Sequence, residues 1–334
     1  MKKDYRKIEE YKFQYLAGIK PTGELTIGNY LGVLKPAIDM VNKMVNKSEV
    51  LMFIADMHAF TTPQTPHEIK RHTLELVKIF NMYNLKFFIQ SHIPEHNQLG
   101  YIMEYLSKDW ELRNQIQYKQ KKDKDVRSSL LTYPALMAAD CLLYDINNIL
   151  VGEDQMPHIH LMNDLILSFE REFGEGILYK PHGFVGDFPK IKDLRDPSKK
   201  MSKSNGDNGC IFLFDDPGIA YNKIIRAVTD SENTVKYDSE NKPGVSNLIN
   251  IYSGLSGMSK DEIIKKYEII PYPYGTFKTD LANIVSDFLK DFQERYARSS
   301  NRFDKDLEEV LKAKANNTVD NIMTAMGLRY EKNI

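Results

Sequence analysis

The sequence predicts an α/β protein: a doubly wound parallel, Rossmann-like nucleotide-binding sheet followed by a second, all-helical domain. Three observations carry this. Short apolar runs alternate with amphipathic stretches in the first half, turn residues cluster at 205–209, and from 217 to 330 the pattern is mostly helical. Strand alternating with helix argues for parallel pairing, because each crossover needs a covering helix. The expected boundaries are 1–207 for the sheet domain, closing in a loop at 196–207, and 208–334 for the helical domain. The last helix is free to pack back on the sheet domain.

The first strand is "FQYLAGI" (13–19). After it, "KPTGELTIGNYLG" turns at Pro21 and Gly23, and Thr26 caps a helix that carries Ile27, Leu31 and Leu34 inward. A helix then starts at the C-terminal edge of a parallel strand, where open α/β sheets bind ligands and unpaired N–H groups attract phosphate. Gly28, in the first turn, costs helix stability unless something approaches the backbone closely. A flat purine or tight packing would each be a reason. Pro36 should kink or end this helix. Further strands are expected at "VLMFIAD" (50–56), "KFFIQS" (86–91) and "NNILVG" (147–152). Helical spacing at 67–84 aligns Ile69, Leu74, Val77 and Phe80; at 157–170 it aligns Ile159, Met162, Leu165 and Ile166. The span "LGYIMEYLSKDWELRNQIQY" (99–118) is too apolar and aromatic for a free surface. A last helix is expected from about Asn316.

The bulk properties exclude several classes. Net charge is −1 and the pI about 6.7, so any nucleic-acid contact must come from local patches. One such patch is "QYKQKKDKDVR" (117–127), with Lys119, Lys121, Lys122, Lys124 and Arg127, which a solvated face explains equally well. No DNA partner is expected. No apolar run reaches the roughly 18 residues of a membrane span, and the acidic residues of "MKKDYRKIEEYKF" argue against a signal or transit peptide. With two cysteines far apart, Cys141 and Cys210, neither a disulfide framework nor a four-cysteine metal site is available. A cytoplasmic location is expected.

The stretch "RDPSKKMSKSNGDNG" (195–209) concentrates Lys200 and Lys203 in a segment poor in helix and strand formers. Read alone, it is a solvated loop or a mobile grip for a polyphosphate. With it, "TIGN" at 26–29 resembles the HIGH signature of class I aminoacyl-tRNA synthetases, and "KMSKS" at 200–204 matches that class's second signature. Their order, their separation of about 170 residues and the strand–turn–helix setting of the first argue against coincidence. "LLTYPALMAAD" (130–140), "VGEDQMPHIHLMNDL" (151–165), "AVTDSE" (227–232) and "KPGVSNLINIYSGLSG" (242–257) narrow the resemblance to the bacterial-type tryptophanyl-tRNA synthetases.

That resemblance, which spans all but about the first ten residues, implies a reaction and its residues. L-tryptophan and ATP would give tryptophanyl-adenylate, then tryptophanyl-tRNA(Trp), with Mg²⁺ held mainly by the ATP phosphates and no metal site of the protein's own. Lys200 and Lys203, with Thr26 and Asn29, would be catalytic. Lys20, Pro21, Thr22, Gly28, Asn29, Gly152, Glu153, Asp154 and Ile191 would line the ATP site together with Lys200, Met201, Ser202, Lys203 and Ser204. Lys20 departs from the glutamine expected there. Tryptophan would be held by Asp140 (accepting the indole N–H), Met137, Gln155, Tyr133, His58 and Leu16, the last standing where a phenylalanine is expected. A helical tRNA anticodon-binding domain and a homodimer follow from the same resemblance.

Each residue also has a structural explanation. A buried aspartate such as Asp140 is costly unless paired; if it only holds substrate, truncating it should leave the fold intact. His158 and His160 stand two apart on a helix and point in different directions, with no third ligand, so a metal site is rejected. Tyrosyl-tRNA synthetases share the architecture, though "TIGN", "MAAD" and "GEDQ" favour tryptophan. A nucleotidyltransferase for a vitamin precursor would not need "KMSKS". A non-catalytic synthetase paralogue acting as an RNA-binding module would not need both lysines, Asn29 and Asp140.

Overall fold

The structure is a computed structural model, and it describes residues 12–43, 50–115, 118–119, 127–185, 190–202 and 206–329. In chain order these form β1 (Tyr15–Ile19), α1 (Ile27–Asn29), α2 (Lys35–Lys43), β2 (Val50–Ile54), α3 (Pro66–Met82), β3 (Lys86–Ile89), α4 (Glu95–Leu106) and α5 (Asp109–Arg113). There follow α6 (Ser129–Leu142), β4 (Asn148–Leu150), α7 (Met156–Phe173), β5 (His182–Phe184), α8 (Pro217–Ile225), α9 (Pro243–Ser256), α10 (Lys260–Glu268), α11 (Tyr274–Arg298) and α12 (Lys305–Ala325). Contacts group the chain into two units: residues 1–22, 39–186 and 301–334, and residues 23–38 and 187–300.

The first unit is built on a five-stranded sheet of order β3-β2-β1-β4-β5. Every pairing is parallel, with Leu16 opposite Leu51 on one side and Ile149 on the other. All five residues of β2 are buried, which is why "VLMFI" reads as an unbroken apolar run: helices cover both faces of a parallel sheet. The four strands legible in the sequence are all present. β5 was not legible, because His182-Gly183-Phe184 is short and partly exposed and carries no apolar run.

The helices follow from local signals. Thr65 and Glu68 form a capping box, and Pro66 opens α3. The fully buried stripe of α3 runs through Leu76, Val77, Ile79 and Phe80, whereas Ile69 and Leu74 are half-buried. In α7 the four aligned residues are all core. Leu99, Ile102, Met103 and Leu106 of α4 join Ala135, Ala138, Ala139 and Leu142 of α6 in one core. The last helix begins at Lys305, capped by Asp304, earlier than the sequence suggests. It adds Leu307, Leu311, Ala315, Val319 and Ile322 to the same core, and its Thr318 donates to the Leu143 carbonyl over 3.0 Å.

In the second unit, Thr26 caps α1 in a reciprocal box with Asn29, and Ile27, Leu31 and Leu34 are buried as expected. Pro36 does not end the helix. The backbone widens into a π turn over Tyr30–Leu34, where the Lys35 N–H reaches the Tyr30 carbonyl, and α2 then continues. The wider turn accommodates a residue that lacks an N–H and crowds the preceding turn. Tyr30 packs on Phe288 of α11, ring centroids 4.7 Å apart. A Cβ on Gly254 of α9 would come within 2.8 Å of the Leu31 side chain.

Candidate active site

In the first unit, the chain leaves β1 toward β2 on one side and reaches β4 on the other, so the crevice beyond these strand ends is the switch point where open α/β sheets take ligands. Lys20, Pro21 and Thr22 follow β1 directly, with Lys20 exposed. Gly152, Glu153 and Asp154 follow β4, all exposed. A side chain at Gly152 would strike the Asp154 carboxylate, whose Oδ1 lies 2.6 Å from the Cβ position. The glycine therefore lets the acidic side chain fold back over the strand end.

Asp140, near the end of α6, is 0 % exposed. Its Oδ1 accepts from Gln90 Nε2 over 2.7 Å and His96 Nδ1 over 2.6 Å, and its Oδ2 from His58 Nε2 over 2.8 Å. Burial by itself would raise the carboxyl, but the bonds from His58 and His96 outweigh it and hold the group below the usual carboxylate range. The carboxylate is thus ionised, and both imidazoles donate to it. Behind His96, the Tyr144 hydroxyl lies 2.7 Å from Nε2; burial, then the charges of Asp140 and Glu95, push Tyr144 well up, so it stays a neutral phenol.

The sequence reading included Asp140 and His58 but missed Gln90, His96 and Tyr144. These come from the turn just after β3, from α4 and from the turn after α6, and no local pattern links them. With four lone-pair sites on the carboxylate and three donors bound from among the described residues, these leave one site on Oδ2.

A second chain runs alongside. Tyr133 lies 2.6 Å from His158 Nε2, His158 Nδ1 3.0 Å from Gln155 Oε1, and Gln155 Nε2 2.9 Å from Asp154 Oδ2. His58 and Tyr133 meet edge to face, centroids 6.1 Å apart, which joins the two chains. A cavity of about 170 Å³ opens beside them, lined among others by Met57, His58, Thr61, Thr132, Tyr133 and Leu136. Met137 is half-buried against the core, whereas Leu16 lies wholly within it. His158 is buried and His160 exposed, on different faces of α7.

In the second unit, residues 190–202 form a narrow antiparallel hairpin. Lys192 pairs with Lys200, the Met201 N–H reaches the Ile191 carbonyl, and the Asp193 N–H reaches that of Lys199. Its bend is held by Asp193, which accepts from the N–H groups of Arg195 and Asp196. Its root is clamped by Asn247 of α9, which accepts from the Lys192 N–H over 2.7 Å and donates to the Lys192 carbonyl over 2.9 Å. The Val228 N–H bonds the Leu194 carbonyl.

Ile191 and Met201 are buried over Gly28, 3.4 and 3.8 Å from where a Cβ would sit. Tight packing is therefore the observed reason for that glycine. Asn29 and Lys200 are exposed and Ser202 is half-buried. Lys203 and Ser204 lie outside the described residues, as do Lys121, Lys122 and Lys124 of the basic patch.

Comparison with known proteins adds to this geometry. The family described as tRNA synthetases class I (W and Y) matches residues 9–290. A tryptophan–tRNA ligase of Caldanaerobacter subterraneus subsp. tengcongensis is 37 % identical over 324 residues, covering 93 % of this chain and 97 % of its own. One of Clostridium perfringens is 38 % identical over 315 residues, covering 91 % and 92 %. The tryptophanyl-tRNA synthetase structure from Mycoplasma pneumoniae superposes with a TM-score of 0.78 at 31 % identity, covering 94 % of this chain and 95 % of that one. The Campylobacter jejuni structure, complexed with ADP and tryptophan, gives 0.68 at 29 % identity, covering 95 % and 98 %.

Proposed function

The chain belongs to the class I tRNA synthetases of the tryptophan and tyrosine group, and from that premise we propose that it activates L-tryptophan with ATP and transfers it to tRNA(Trp). The observation that carries the choice of amino acid is the 37 % identity to a tryptophan–tRNA ligase over 93 % of the chain. In the first step the tryptophan carboxylate attacks the α-phosphorus of ATP, and pyrophosphate leaves. Negative charge grows on the departing group, and Lys200 and Lys203 neutralise it.

Thr26 and Asn29 start the neighbouring helix, and Ile191 and Met201 provide the apolar wall on which adenine rests. Lys20, Pro21, Thr22 and Gly28, with Gly152, Glu153 and Asp154, complete the ATP site, the carboxylates serving the ribose hydroxyls. Ser202 and Ser204 supply hydroxyls beside the two lysines. In the first unit, exposed Lys20 just beyond β1 supports an anionic ligand at the strand ends; in the second, exposed Lys200 on the hairpin and exposed polar Asn29 on α1 do the same. Mg²⁺ travels with the ATP phosphates and adds charge neutralisation; among the described residues no cluster of His, Cys, Asp and Glu forms a metal site.

For tryptophan, the free lone pair on Asp140 Oδ2 takes the indole N–H beside His58, with Met137 and Leu16 behind the ring. Tyr133 and Gln155 hold the amino-acid head. The helices of 208–334 carry the anticodon contacts, and the reaction takes place in the cytoplasm, where tRNA is charged. A homodimer is part of the proposal. It is supported by Tyr101, Tyr105 and Trp110, which are 73, 57 and 60 % exposed on α4 and α5, while Leu99, Ile102, Met103 and Leu112 of the same span are core.

Tryptophan-dependent exchange of labelled pyrophosphate into ATP is the test. Exchange with tryptophan and not tyrosine is expected. Exchange with tyrosine alone, or none with either, overturns the proposal.

A further inference from the structure

The chain Tyr133–His158–Gln155–Asp154 has a direction that can be derived from its chemistry. A carboxylate only accepts, so Gln155 turns its amide nitrogen to Asp154 and its oxygen to His158. An amide oxygen only accepts as well, so His158 Nδ1 carries a proton and donates. His158 is 2 % exposed. Burial brings its pKa down to about 4, against the charge of Asp154 and with added lowering from His58 and Lys20. Its Nε2 is therefore bare at neutral pH. Tyr133, raised by burial and then by Asp154, keeps its proton and donates it to that nitrogen over 2.6 Å. The two rings are near perpendicular, centroids 5.2 Å apart, which holds the hydroxyl in place. Each of the three bonds thus runs in the same direction.

We propose that His158 is a positioning residue for amino-acid recognition: it takes the one proton of Tyr133, so the phenol oxygen offers only lone pairs and selects the substrate's ammonium group over its carboxylate. This rests on the reading that Tyr133 touches the amino-acid head. Without the imidazole acceptor, the O–H rotates freely and can donate to a carboxylate, and the preference for one end weakens.

The test compares equilibrium binding of tryptophan, tryptamine (no carboxylate) and indole-3-propionate (no ammonium) to the full chain, beside pyrophosphate exchange and a thermal melt. His158→Phe should weaken tryptophan and tryptamine by about 10- to 100-fold, the range for one hydrogen bond to a charged group, and leave indole-3-propionate within about 3-fold. The KM for tryptophan should rise with kcat nearly unchanged. His158→Gln, whose amide oxygen reaches the place of Nε2, should recover most of the loss. His158→Asn, too short to do so, should not. Added to Tyr133→Phe, none of these should weaken binding further. Equal loss of all three ligands, or identical behaviour of the Asn and Gln variants, overturns the proposal; the Asn and Gln pair decides even if the Phe variant does not fold. Unchanged tryptamine binding in Tyr133→Phe overturns the reading of the site itself. A Tyr133→Phe loss that no His158 variant reproduces overturns the role of His158 alone.

Discussion

At the scale of single residues, Asp140, the proposed indole acceptor, also ties three elements of the core together through His58, Gln90 and His96. The expectation that its truncation would leave the fold intact does not survive the structure. Asp140→Ala strands donors from His58, Gln90 and His96 in a closed interior, and breaking such a set costs about 3–5 kcal/mol. Urea denaturation should show it as a lowered midpoint. Asp140→Asn keeps one oxygen but turns an N–H₂ toward the same donors, so it too should lose stability. In whichever variant folds, the preference for tryptophan over 1-methyltryptophan should narrow; an unchanged preference would make Asp140 purely structural. The pH dependence follows from the same group. Its pKa is lower folded than unfolded, so its stabilisation is in place above the unfolded carboxylate range and is lost as pH falls through the folded value. Melts from neutral to acid pH should therefore decline less steeply in Asp140→Asn than in the parent. Lys200→Ala should lower kcat for exchange by roughly 10²–10³-fold, the range for losing one charge-stabilising group, with tryptophan affinity preserved in dialysis. Equal loss of both would remove the lysine from the chemistry.

At the scale of elements, the lysine hairpin depends on a helix distant in sequence. Asn247 replaces a strand partner for Lys192, accepting from its N–H and donating to its carbonyl. Asn247→Ala should raise the KM for ATP while tryptophan binding stays as it was, and Asn247→Asp, which keeps the acceptor only, should fall between. Unaltered ATP kinetics in Asn247→Ala would show that the hairpin holds its shape unaided. Much of this architecture was legible in the sequence, because "VLMFI" and Thr26 are local signals of burial and capping. What was not legible is non-local. β5 is bordered by no pattern of its own, the π turn answers a proline two residues downstream of it, and Gln90 and His96 reach Asp140 from separate elements, with Tyr144 behind His96.

At the scale of the molecule, chain order and spatial grouping differ: residues 23–38 group with 187–300, and 301–334 with the sheet unit. Local patterns carry no record of this, since α12 is amphipathic whichever core it joins. The exposed row of Tyr101, Tyr105 and Trp110 belongs to this scale too. Light scattering at micromolar concentration should give twice the chain mass, and Tyr105→Glu with Trp110→Glu should shift it toward one. A parent that scatters as a single chain would refute the dimer. Trp110 is also the chain's one tryptophan, and more than half its surface is open to solvent. In the single chain its fluorescence should therefore be that of a solvated indole, and any second indole in the sample is the ligand. A blue shift that follows protein concentration would report assembly over Trp110. One that follows added tryptophan at fixed protein would report an indole leaving water for the interior.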